Sequence, residues 1–153
     1  MITPRALSLT VLCTEVLEHL EEPQELVAEI YRVLKHGAGG VITVPWSVRS
    51  HYIPYDYYRF TPDALTKLFH NFSSYKIVPR GTDIAVVASK IIVIYCWSVR
   101  FSEKVWLWPA KLIIAIALLP LVALVVFIGH LSLFFRIGSK DDPLGYTVWL
   151  EKT

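Results

Sequence analysis

The sequence has only two cysteines in 153 residues. Cys13 and Cys96 both lie in apolar segments. They show no metal-ligand spacing and no disulfide framework, so a reducing compartment is expected. Cys13 is read as a small core residue rather than a nucleophile. A surplus of charge is also missing. The formal net charge is +2, and no Lys/Arg cluster points to nucleic acid. Met1 to Leu20 holds one basic residue and no apolar core followed by small residues, so no signal peptide is expected. There is no internal repeat or low-complexity tract. No nucleophilic triad or metal constellation stands out.

Apolar residues are plentiful instead, at 54% of the chain, and the excess is local. Leu112 to Phe135 carries no formally charged residue, and Leu112 to Gly129 is almost wholly apolar. That run passes the length test for a membrane-spanning helix.

The first 80 residues read as alternating strand and helix. Ser8 to Cys13 is a short, mostly apolar run that suits a buried parallel strand. Pro23 fits the first turn of a helix, where a missing N–H costs nothing. Glu21, Glu22 and Glu25 place negative charge at its positive end, and Arg32, Lys35 and His36 complement the other. Leu26, Val27, Ile30, Val33 and Leu34 form its apolar face. Gly37 is the expected stop. Val41 to Val44 is a β-branched strand ended by Pro45. Strand, helix and strand in this order predict a parallel crossover. After a loop from Trp46 to Phe60, Thr61-Pro62-Asp63 reads as cap, first turn and favourable acid of a second helix. Leu65, Leu68, Phe69 and Phe72 form that helix's apolar face. Tyr75–Val78 and Tyr146–Leu150 are two further strands.

Several of these pieces resemble class I S-adenosylmethionine-dependent methyltransferases of the type 11 group. Val11-Leu12-Cys13-Thr14-Glu15-Val16-Leu17-Glu18-His19-Leu20 looks like that family's fourth strand and following turn. Leu34-Lys35-His36-Gly37 resembles a helix end usually written Leu-Lys-Pro-Gly-Gly, with His36 in place of proline. Val41–Pro45 looks like the fifth strand, and Ile53 to Thr61 resembles a loop in one branch of these enzymes. Asp142 to Tyr146, leading into Thr147–Leu150, is similar to their closing strand. The resemblance covers residues 8–80 well and 142–152 moderately. It implies an α/β fold: the C-terminal half of a Rossmann-like methyltransferase sheet, with an apolar helical insertion before the last strand. The expected domains are 8–80, the insertion 81–143, and the closing strand 144–153.

The resemblance also implies S-adenosylmethionine as cofactor, but its main binding motif is not found. The family holds the cofactor on a Gly-rich turn after its first strand and an acid after its second. None of the glycines here falls in a Gly-x-Gly turn near the start. The expectation is therefore a chain whose cofactor-binding half is absent, inactive or incomplete alone.

Ligands of open α/β sheets bind at the carboxyl edge of the strands. Glu15, Glu18 and His19 sit there. The resemblance turns them toward the methionine end of the cofactor and the acceptor, with Glu15 and Glu18 as cofactor-side residues. His19 is the candidate catalytic base, since imidazole titrates near neutrality. The competing reading is that the acids are solvated or cap a turn and that His19 fixes a loop. Tyr55, Tyr57, Tyr58 and Arg59, with His51 as a weaker member, could wall an acceptor pocket. Against this stands a packed loop with Arg59 paired to Asp56 or Asp63.

The insertion, roughly Gly81 to Pro143, holds two apolar stretches: Ile84–Val99, interrupted by Lys90, and Leu112–Phe135, containing Pro120. The linker from Arg100 to Lys111 mixes Arg100, Glu103, Lys104 and Lys111 with Trp106 and Trp108, as suits a membrane–water interface. A single crossing would strand Tyr146–Leu150 on the wrong side of the membrane from Val41–Val44. The insertion must therefore cross an even number of times, dip in and return, or lie on the surface. Lys90 makes full crossing costly, which favours a shallow or re-entrant hairpin, with Pro120 able to supply a bend. The competing reading is a pair of helices covering a soluble sheet.

The reading as a whole is methyl transfer to a small-molecule or lipid-linked, membrane-proximal acceptor. The protein is expected to be cytoplasmic and membrane-associated, with no nucleic-acid partner. A missing N-terminal half or another subunit would complete the fold. The alternatives are a non-catalytic remnant or partner subunit, and a membrane-associated structural protein.

Overall fold

A computed structural model describes residues 8–100 and 105–153. The lead-in 1–7 and the linker residues Glu103 and Lys104 lie outside the described residues. The chain divides into two units, one of residues up to Arg80 together with Leu144–Thr153, the other Gly81–Pro143.

The first unit is a four-stranded mixed sheet with helices on one face. Its strands are β1 (Ser8–Thr14), β2 (Leu34–Pro45), β3 (Ser74–Arg80) and β4 (Gly145–Lys152), in the spatial order β1-β2-β4-β3. β1 and β2 are parallel and joined by α1 (Pro23–Val33), as the strand–helix–strand pattern predicts. β4 is antiparallel to both of its neighbours. Paired residues share a face of the sheet. The row Cys13–Ile42–Val148–Ile77 therefore faces one way and Leu12–Val41–Trp149–Lys76 the other.

The first of these faces is the core. Ile42, Val44 and Val148 are fully buried, beside Val27 and Ile30 of α1. Leu65 of α2 (Pro62–Leu68) joins them, with Phe69 and Phe72 just beyond that helix. Thr61 caps α2 as expected: its hydroxyl accepts from the Ala64 N–H at 3.2 Å. Cys13 lies in this core, and burial pushes its thiol pKa up. On the opposite face Leu12 of β1 is 74% and Trp149 of β4 55% exposed.

One expectation is corrected here. α1 ends at Val33, not near Gly37, so Lys35 and His36 lie in β2 rather than in the last helical turn. Leu34 is fully buried with extended backbone angles. Gly37 takes a positive φ of 76° inside the strand, where the ladder skips from Ser8–Leu34 to Thr10–Gly39. A left-handed residue of this kind suits a bulge as well as a helix end. The cap comes from the far end of the chain. Buried Lys152 donates its ammonium to the carbonyls of Tyr31 (2.7 Å) and Leu34 (2.8 Å). The same ammonium lies 4.5 Å from the Tyr31 ring centre. A cation on the last carbonyls offsets the negative end of the helix dipole.

The second unit is a helical hairpin. α3 (Asp83–Ser98) packs along α4 (Trp108–Phe135), which runs unbroken through Pro120. Small residues allow the close approach: a side chain on Gly129 would meet the Ala88 methyl at 2.8 Å. Tyr95 donates its hydroxyl to the Ala115 carbonyl at 3.1 Å. The open end is tied by Asp83, which accepts from the Ser139 N–H at 3.0 Å. Cys96, on α3, is exposed.

Lys152→Met keeps the aliphatic stem and removes both charged hydrogen bonds. We expect it to cost about 2 kcal/mol, read from urea unfolding by circular dichroism in mild detergent. A loss below about 0.5 kcal/mol would show that the helix end does not depend on this cap.

Candidate active-site edge

β1 stops at Thr14, and the chain turns sharply through Glu15, which has a φ of 52°. The turn remains tied to β2, since the Glu15 N–H donates to the Thr43 carbonyl at 3.0 Å. The Glu15 carboxylate accepts from the Thr43 hydroxyl at 2.9 Å and from the Arg80 guanidinium. Arg80 sits at the end of β3 and also donates to the Val44 carbonyl at 3.2 Å. Sequence reasoning missed this residue. Nothing local marks it, because only the strand order brings β3 to this edge.

A short 3-10 turn, Leu17–His19, follows. Both Leu17 and Glu18 are fully buried. The loop after β2 folds over this turn. The backbone N–H groups of Tyr57 and Tyr58 donate to the Glu18 carbonyl at 2.8 and 3.3 Å. The Tyr58 hydroxyl donates to the Glu21 carbonyl at 2.8 Å, and the Tyr57 hydroxyl to the Glu21 carboxylate at 3.1 Å. Two of the residues expected to wall a pocket are thus also the fastenings of the loop.

Arg59 grips Asp56 through both of its terminal nitrogens, at 2.6 and 2.9 Å. Asp56 also accepts from the His51 N–H at 2.9 Å. The Arg59 guanidinium is the main reason the Asp56 carboxyl is held far below the usual carboxylate range. Its guanidinium is therefore already committed within the loop.

Two imidazoles close on the buried acid. His19 Nδ1 lies 2.5 Å from the Tyr55 carbonyl. A carbonyl can only accept, so Nδ1 carries a proton, and in the neutral ring the lone pair is on Nε2. That Nε2 is 3.6 Å from Glu18 Oε1. His51 is arranged alike: Nδ1 donates to the Arg49 carbonyl at 3.3 Å, and Nε2 is 3.9 Å from the same Glu18 oxygen. The two rings meet edge to face at 4.8 Å, with Tyr52 against His19 at 5.3 Å. Neither Glu18 oxygen accepts a hydrogen bond. Burial, chiefly, raises its pKa.

The fold thus brings Glu18, His19 and His51 together, with the Tyr55 backbone behind them. Glu15 stands apart with Thr43 and Arg80. The Tyr55, Tyr57 and Tyr58 side chains remain 52%, 40% and 39% exposed along the same loop. The sequence shows no metal-ligand spacing because His51 is far from His19 in the chain and lies in an aperiodic loop. In space, one ligand atom from each of Glu18, His19 and His51 lies within 4.8 Å of the others.

Residues 10–42 match the family described as a methyltransferase domain. No curated protein sequence matches the chain. Among solved structures, a SAM-dependent methyltransferase from Archaeoglobus fulgidus superposes with a TM-score of 0.52 at 18% identity, covering 97% of this chain and 61% of that one. A phosphoethanolamine N-methyltransferase from Haemonchus contortus gives 0.48 at 14% identity, covering 95% of this chain and 33% of that one. The chain spans between a third and two thirds of the length of these structures. The parallel β1-α1-β2 crossover and the antiparallel β4 beside it define a Rossmann-like α/β fold. It is shared with the Archaeoglobus fulgidus methyltransferase over 61% of that chain, and here an apolar helix precedes the last strand.

The residues present do not match the Gly-rich turn on which such enzymes hold S-adenosylmethionine. Among the described residues, no Gly-rich turn follows a parallel strand. The positive-φ glycines are Gly37, Gly81 and Gly138, none at the carboxyl end of β1 or β2.

Replacing Asp56 by Ala removes the Arg59 pair and the His51 N–H acceptor together. We expect amide exchange across residues 51–58 to speed up by about tenfold or more, with the sheet amides unchanged. Equal protection in the variant would mean that the ion pair does not hold the loop.

Proposed function

We propose that this chain supplies the acceptor side of a methyl-transfer site. The observation that carries the reading is the convergence of the Glu15–His19 turn and the 51–59 loop on one carboxyl edge, where ligands of such sheets sit. Methyl transfer asks little beyond alignment, because the bound sulfonium supplies the electrophile. In this reading His19 Nε2, in the neutral ring, takes a proton from an acceptor hydroxyl or amine. Tyr52 and Tyr55 offer aromatic surface for its apolar part.

The cofactor-binding strands would come from another segment or subunit. Among the described residues the outer edge of β1 has no strand beside it, and Leu9 and Leu12 of that strand are 71% and 74% exposed. An unpaired edge with apolar neighbours is a template for a further strand. For the 153-residue polypeptide alone, we expect calorimetry to give a dissociation constant for S-adenosylmethionine above about 100 μM. Binding tighter than about 1 μM, some −8 kcal/mol, would overturn this division of labour. With a cofactor-binding half supplied in trans, label from the S-methyl group should reach an acceptor, and His19→Ala should slow it by about 10²-fold or more.

Membrane association is the second part of the proposal. Among the described residues, α4 alone is long and apolar enough to cross a bilayer, and only 6% of its most apolar window is buried. Its 28 residues reach about 42 Å, and the 16 of α3 about 24 Å, short of the roughly 30 Å hydrocarbon core. α3 also carries exposed Lys90. These lengths favour a hairpin that enters and returns, and a lipid-linked or membrane-proximal acceptor. The chain should float with liposomes in a sucrose gradient and resist carbonate extraction. Full recovery in the soluble fraction would sink this part and leave methyl transfer untouched.

A further inference from the structure

We propose that Glu18, His19 and His51 form a binding site for one divalent first-row transition ion. Three independent features converge on it. The first is geometric. Glu18 Oε1 faces His19 Nε2 at 3.6 Å and His51 Nε2 at 3.9 Å. These separations are too long for hydrogen bonds. A tetrahedral zinc with bonds of roughly 2.0–2.1 Å holds its ligand atoms about 3.3 Å apart, so both separations lie within a few tenths of an ångström of that span.

The second feature is tautomeric. Each imidazole directs Nδ1 to a backbone carbonyl, Tyr55 for His19 and Arg49 for His51. That outer contact fixes the ring and turns the lone pair of Nε2 inward, which is the usual arrangement behind a metal-bound histidine.

The third is the charge balance of this edge. Glu15 is paired with Arg80, and Asp56 with Arg59. Glu18 is the fully buried acid, and neither of its oxygens receives a hydrogen bond. A buried carboxylate without a compensating donor is costly. A protonated carboxyl would still lack a partner at these distances. A cation shared with two neutral imidazoles satisfies all three groups. The ligand atoms span up to 4.8 Å, so His51, 42% exposed on its loop, must move inward by roughly 1 Å to complete the set.

Two imidazoles and one carboxylate suit zinc, iron(II), manganese or cobalt rather than calcium or magnesium. Three protein ligands leave coordination positions open for a water or an acceptor oxygen. Occupancy would take the His19 lone pair that the proposed base role uses, so the two assignments are alternatives for that nitrogen. The site shares its edge with the proposed methyl transfer but does not depend on it, and its test involves no turnover.

The test is a titration of the chelator-stripped full chain, in mild detergent, with Zn²⁺ by calorimetry and with Co²⁺ by visible absorption. One equivalent should bind with a dissociation constant below about 10 μM, and Zn²⁺ should raise the thermal midpoint. His51→Ala changes an exposed loop residue and should fold. It should weaken binding about 100-fold. Glu18→Gln, of nearly the same shape, should do likewise. Cys96→Ser and His130→Ala, remote in the sequence, should leave binding unchanged. No stoichiometric binding at 1 mM metal would overturn the proposal. So would binding that survives both His51→Ala and Glu18→Gln, which would mark an adventitious ion only.

Discussion

β4 runs back along β2 from Gly145 beside Pro45 to Lys152 beside Ala38. Three separate features rest on that antiparallel ladder. It carries β3 on its far side, which delivers Arg80 to the Glu15 carboxylate. It places Lys152 under the end of α1, where an ammonium replaces the missing helical partners of two carbonyls. And it closes the insertion. The Leu144 N–H donates to the Arg80 carbonyl at 2.9 Å, so the chain leaves and re-enters the sheet at one point. A helical hairpin is the natural content of such an insertion, because both of its ends must meet.

At the carboxyl edge the same economy governs the charges. The loop after β2 is tied to the turn after β1 through backbone and tyrosine hydrogen bonds, and Arg59 neutralises the loop's own acid. Arg80 neutralises the turn's first acid. The residues that could bind a ligand are those left over from this pairing: the buried Glu18 and the two imidazoles directed at it. The chemistry of the edge is defined less by which polar residues it contains than by which are already engaged.

Much of this was legible in the sequence because it is periodic or local. The β-branched run at Val41–Val44, the helix opening at Pro23, the Thr61-Pro62 cap and the apolar segments of α3 and α4 each carry their signal within a few residues. The parts that were not legible depend on distant partners. Gly37 reads as a helix stop, but the helix ends earlier, since Lys152 supplies the cap from the other end of the chain. His51 reads as an isolated loop histidine until the loop folds back on Glu18. Arg80 has no local feature at all. Spacing in sequence finds ligand sets that sit on one helix or one knuckle, and this one is assembled from a turn and a loop on neighbouring strands.

Apolar surface is exposed in both units, yet the two exposures call for different cover. The helices of the hairpin satisfy their own backbone N–H and C=O groups, so lipid tails can take their surface without further cost. Gly129 against Ala88 gives the helix pair the close contact that holds together in lipid, where no hydrophobic effect drives association. The outer edge of β1 is different. Beside Leu9 and Leu12 it presents strand backbone groups that no strand among the described residues receives. Hydrocarbon would leave those groups unsatisfied, whereas another strand would satisfy them and cover the leucines together. A bilayer can therefore cover α4, whereas the edge of β1 suits water or a further strand and not hydrocarbon. A parallel strand there would also extend the carboxyl edge on which Glu15, Glu18 and His19 already stand.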